Sequence, residues 1–166
     1  VFSSISFLFF FLPLLLFFYY IVPKKMRNFV LLVFSLFFYY MGEKWYVLLL
    51  LSSCLGNYFL GLLIGKKKKK LFLVMGLFFN IGLLFYFKYT NFFLSLMVDL
   101  NIILPLGISF FTFQNISYLI DVYRRDVPSE KSFWKYTTYI TLFPQLVAGP
   151  IVRYVDVSRE LDERTE

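Results

Sequence analysis

Histidine is missing from all 166 residues. Its absence removes Ser–His and Cys–His nucleophile pairs, a histidine general base and most transition-metal sites. Cysteine is almost missing too. Cys54 stands alone in an apolar run with nothing basic near it in sequence, which reads as a buried structural thiol and not a nucleophile. Acids are scarce where the chain is most apolar: residues 1–120 hold ten Lys and Arg against Glu43 and Asp99, whereas residues 121–166 hold seven against eight acids. The net charge of +7 therefore sits in short loops between apolar runs and not across one face, a poor pattern for nucleic-acid binding. The start of the chain has no basic region ahead of its apolar run and no small-residue cleavage site behind it, so a removable signal peptide is not expected.

What the sequence does have is apolar and aromatic. It is 60% hydrophobic and 23% aromatic, against about 45–50% apolar for soluble domains, and its mean hydropathy is +0.72. Several runs approach the roughly 20 apolar residues that cross a bilayer. The expected fold is an all-α integral membrane protein, a multi-span helical bundle with spans at 5–22, 29–41, 45–64, 71–87 and 104–120. A broken or re-entrant segment is expected at 134–152, because Pro144 and Pro150 remove backbone donors and Gly149 adds a weak point. Lys24, Lys25 and Arg27, the Lys66–Lys70 block, and Arg124, Arg125, Lys131 and Lys135 all fall on one side in this layout. The positive-inside rule makes that side cytoplasmic and the N-terminus external. The lysine block reads as a topogenic loop touching anionic lipid.

The segment 104–125, LPLGISFFTFQNISYLIDVYRR, carries groups that a plain anchor avoids. A polar amide at membrane depth must find a protein partner or lose about 1–3 kcal/mol, so Gln114 and Asn115 point to a bundle interior or a cavity. On a helix, Gln114, Tyr118, Asp121 and Arg125 form one stripe. Asp121 is expected to pair with Arg125 one turn on. Arg124 and Arg153 read as snorkelling or anion-holding residues.

The blocks PLGISFFTFQNISYLIDVYRR and YITLFPQLVAGPIVRY, with the opening VFSSISFLFFFLPLLLFFYY, resemble the membrane-bound O-acyltransferase family in its alginate O-acetyltransferase branch, over nearly the whole chain. The resemblance implies a tunnel through the bilayer, a bacterial inner-membrane location, and an acyl donor on the cytoplasmic side, acetyl-CoA or an acyl carrier protein. The acceptor would be hydroxyls of a cell-surface polysaccharide such as alginate, often with a periplasmic or extracellular acetyltransferase as partner. It places the catalytic histidine beyond position 166, so no catalytic residue, bound cofactor or metal is expected in these residues, and the chain reads as the front part of a longer protein. Tunnel or donor-binding candidates are Gln114, Tyr118, Asp121, Arg124, Gln145 and Arg153, with the arginines facing a phosphate or carboxylate and the glutamines a thioester or oxyanion. Two other classes fit the same features. One is a transporter or channel subunit whose broken helices bind solute, although no internal repeat supports it. The other is a membrane scaffold that recruits an enzyme.

Overall fold

The computed structural model describes residues 6–66, 69–94, 105–142 and 152–162. Every regular element among them is helical, as the run lengths and the lack of period-2 alternation require. A π-helical turn, Phe7–Phe11, leads into α1 (Leu12–Ile21). Then come α2 (Arg27–Glu43), α3 (Tyr46–Lys66), α4 (Lys69–Leu94), α5 (Ile108–Arg124), α6 (Phe133–Thr141) and α7 (Tyr154–Asp162). The fourth helix is longer than the apolar run at 71–87, because Lys88, Thr90 and Asn91 are all residues that a helix accommodates. Helix α6 stops after nine residues, about 14 Å and too short to cross. The breakers Pro144, Gly149 and Pro150, and Gln145 with them, lie outside the described residues, as do Lys67, Lys68 and Asp99.

The distribution of polarity identifies the solvent. Asn57, Asn80, Thr112, Gln114 and Asn115 are buried, while Phe10, Phe17, Phe59, Phe78 and Phe85 stand exposed on the outer surface. That is a membrane arrangement, with rings facing lipid and polar side chains turned inside. Helix α3 and the Lys70–Thr90 part of α4 are long and apolar enough to span by length and composition.

Helices α3, α4 and α5 pack against one another as a triad, α6 lies on α2 and α3, and α1 leans on α2. Two glycines set the spacing of the triad. A Cβ on Gly61 of α3 would stand 2.7 Å from the Tyr118 ring, and one on Gly76 of α4 would overlap Leu119. Small residues at such crossings allow the close approach that drives helix association in lipid. Between α3 and α4, Asn57 and Asn80 exchange amide hydrogen bonds (3.1 and 2.6 Å), and each also donates to the carbonyl four residues back, Ser53 and Gly76. Pairs of this kind are worth about 1–2 kcal/mol in model membrane helices.

The ends of α5 are set by two left-handed residues. Gly107 starts it at φ 73°, where glycine has no steric penalty. Arg125 ends it at φ 65°, with its own N–H bonded to the Asp121 and Val122 carbonyls and the Asp126 N–H reaching the Asp121 carbonyl at 3.0 Å. This is a Schellman closure, normally a glycine position. A side chain there loses roughly 1–2 kcal/mol relative to glycine.

Candidate functional site

The end of α5 faces the short helices α6 and α7, and the polar groups of all three converge there. Gln114, Tyr118 and Asp121 share the buried face of α5, whereas Arg124 and Arg125 are exposed at its end. The Asp121–Arg125 pairing expected from i,i+4 spacing is not what forms. The left-handed turn takes Arg125 out of helical register, and Arg153 takes its place, with its Nη2 2.7 Å from Asp121 Oδ1 and its Nε 3.4 Å from Oδ2. Asp121 is nearly buried, while about half of the Arg153 side chain remains exposed. The same Nη2 reaches Asp126 at 3.4 Å. The hydrogen bond and charge of Asp121 push the Arg153 pKa above its usual value, so this guanidinium is a fixed cation.

Glu130, in the α5–α6 loop, is a second hub. Its backbone N–H donates to the Tyr118 hydroxyl at 2.9 Å, and its carboxylate accepts the Ser132 N–H at 2.9 Å, accepts the Tyr154 hydroxyl and faces Lys135 Nζ at 3.4 Å. Burial, and then the Glu130 contact, push the Tyr154 phenol upward from its ordinary pKa, so it stays a donor. Around these contacts the rings pack edge-on or tilted, with Tyr118 4.7 Å from Tyr136 and 5.0 Å from Tyr154, and Tyr139 5.1 Å from Tyr154. Tyr139 donates to the Val152 carbonyl at 2.9 Å, which ties α6 to the entry of α7. Deeper in the bundle, the Tyr136 hydroxyl donates to Asn115 Oδ1 at 2.5 Å, and Asn115 Nδ2 donates to Ser53 Oγ at 3.2 Å. Among the described residues no group of three or more His, Cys, Asp or Glu is placed to hold a metal ion.

This arrangement sets Arg153 and Lys135 against the carboxylates of Asp121, Asp126 and Glu130 at the edge of a polar, tyrosine-lined interior.

No family model matches the chain, and no solved structure matches it. Curated proteins do. The chain is 36% identical over 126 residues to the probable alginate O-acetylase of Pseudomonas aeruginosa, covering 66% of this chain and 24% of that protein. It is 37% identical over 126 residues to the probable alginate O-acetylase of Azotobacter vinelandii, covering 66% and 25%. It is 35% identical over 144 residues to the peptidoglycan O-acetyltransferase of Helicobacter pylori, covering 65% and 27%. The chain is related to proteins named alginate O-acetylase and peptidoglycan O-acetyltransferase. It spans about a quarter of the length of the relatives it matches.

Among the described residues, the geometry brings Tyr118, Asp121 and Arg153 together. Gln114 is on the same buried face of α5, Arg124 stays outside the cluster, and Gln145 lies outside the described residues. Sequence reasoning passed over Glu130, Tyr136, Tyr154 and the Asn57–Asn80 pair. The two asparagines were accessible to the rule that flagged Gln114, since both interrupt apolar runs. Glu130 was not, because its role depends on the path of the loop.

Proposed function

We propose that this chain forms part of a bacterial inner-membrane O-acyltransferase, which passes an acetyl group across the membrane to hydroxyls of a cell-surface polysaccharide. The observation that carries the proposal is its relation to proteins named alginate O-acetylase and peptidoglycan O-acetyltransferase. The acceptor is a glycan of that class, and a periplasmic or extracellular acetyltransferase is a natural partner.

The basic end of the bundle is the donor side. Lys66 ends α3, Arg124 and Arg125 flank the end of α5, and Arg153 stands over its buried polar face. By the positive-inside rule this end is cytoplasmic and the N-terminus external. Arg153, held in a fixed orientation by Asp121, suits the phosphate or carboxylate of an acetyl donor, acetyl-CoA or an acyl carrier protein. The polar face of α5, with Gln114 and Tyr118, then forms part of the wall along which the acyl group travels. Transfer to a hydroxyl needs a general base, worth roughly 10²–10⁴-fold. With no histidine in these 166 residues, that base belongs to the rest of the enzyme.

Everted membrane vesicles containing the protein test this. Labelled acetyl donor supplied to the face bearing Lys66 is expected to yield labelled polysaccharide, and donor sealed on the opposite face is not. Absence of label from either face, with acetyl-CoA and with acetylated carrier protein alike, would remove the proposal.

A further inference from the structure

The end of α3, the end of α5 and the α5–α6 loop enclose a cleft of about 610 Å³, distinct from the cluster around Glu130. We propose that it binds the phosphate headgroup of an anionic phospholipid from the adjoining leaflet. Its position gives the first argument. Lys66 is the last residue of a helix long and apolar enough to span, so the cleft sits where the apolar layer gives way to headgroups. Its lining changes character in the same place. Ile64 and Val122 supply an apolar wall, and Lys66, Arg125 and the Ser129 hydroxyl supply the polar one. A lipid glycerol and its phosphate present the same two characters in the same order.

Charge gives the second argument. Among the described residues no acid lines the cleft. Lys66 and Arg125 make no ion pair among the described residues, and Asp126, next along the chain, is drawn to Arg153 instead. Lys67 to Lys70 continue the basic run directly from Lys66. The neighbouring cleft of about 500 Å³ contrasts with it, because Asp126 and Glu130 share its lining with Lys131, Lys135 and Arg159, so acids stand beside its cations.

The third argument is the backbone. Arg125 holds a left-handed conformation at a helix terminus that favours glycine, and its side chain nevertheless lines the cleft. Non-glycine residues kept in such conformations concentrate at ligand clamps and functional sites. Gly65 contributes in the opposite sense: a Cβ there would meet Ser129 Oγ at 2.6 Å and close the cleft from the α3 side. The inference does not depend on acyl transfer. A protein without that activity would keep the same cleft.

The test uses the protein extracted from its own membrane in neutral detergent and offered phosphatidylglycerol or phosphatidylcholine, with bound lipid counted by native mass spectrometry. Phosphatidylglycerol is expected to be retained preferentially. Each cationic residue near a charged leaflet contributes enough for about a fivefold change in binding. Arg125→Gly should therefore lower that preference about fivefold while the melting temperature holds or rises, since glycine suits the turn. Arg125→Lys should keep most of the preference, and Lys66→Gln should lower it to a similar extent. Equal retention of the two lipids, or an Arg125→Gly variant with unchanged preference, overturns the proposal. So does displacement of phosphatidylglycerol by excess inorganic phosphate, which would make the cleft a site for a soluble anion.

Discussion

Tyr118→Ala is expected to destabilise the bundle by about 3–5 kcal/mol, the range for removing a large buried ring. Tyr118 is wholly buried and sits where three structural units meet. Its ring packs under Gly61 of α3 and against Tyr136 of α6 and Tyr154 of α7. No neighbour can fill the gap readily, because the Gly61 contact exists only through the absence of a side chain. The hydroxyl adds a separate contribution. It accepts the Glu130 N–H, so Tyr118→Phe keeps the packing and strands a backbone donor, at about 1–3 kcal/mol. Thermal melting in detergent should rank wild type above Phe above Ala. An alanine variant that melts with wild type would show that the ring is not a structural centre.

Glu130→Ala is the second large effect. Removing this carboxylate takes away the acceptor for the Tyr154 hydroxyl and the Ser132 N–H, together with the partner of Lys135. Hydrogen bonds to charged groups contribute about 1.5–3 kcal/mol each, less than additively here because the groups act together, so about 3 kcal/mol in total is expected. Glu130→Gln separates the contributions. It keeps the shape and one acceptor oxygen, which can hold the Ser132 N–H, while the new NH2 cannot accept from the Tyr154 hydroxyl and the attraction to Lys135, partly screened by exposure on both sides, is lost. Hydrogen exchange should show faster exchange at α7 and at the first turn of α6 in the alanine variant, and in the glutamine variant a smaller change confined to α7. Uniform protection in both would mean that the rings alone hold α7 in place.

The helical membrane fold was legible in the sequence for a simple reason. A bilayer demands long apolar runs and internally satisfied backbone, and both leave a mark that needs no tertiary knowledge. The buried face of α5 was legible for the same reason, since Gln114, Tyr118 and Asp121 fall at helical spacing within an apolar run. What failed was partner choice. Asp121 was matched to Arg125 by i,i+4 spacing, but that rule holds only while the helix continues, and no glycine marked the point where it turns. The true partner, Arg153, is 32 residues away and comes into reach through α6 and α7. Glu130 was invisible for a related reason. An acid in a polar loop looks solvated until the path of the loop brings Tyr118, Lys135 and Tyr154 around it. Sequence periodicity reports on one element at a time, and this site is assembled from three.

Within that assembly, Asp121 and Arg153 hold each other in one orientation, Glu130 ties the loop beside them to α6 and α7, and tyrosines and amides line the interior.

The most direct measurement is ester-linked acetate on the surface polysaccharide of cells that make this protein, compared with cells from which its gene has been deleted. Acyl transfer predicts that acetate falls on deletion, returns with the intact gene, and does not return with an Asp121→Arg form that sets two cations against each other. Acetate unchanged by deletion, in a cell with no second enzyme of this kind, would contradict the account.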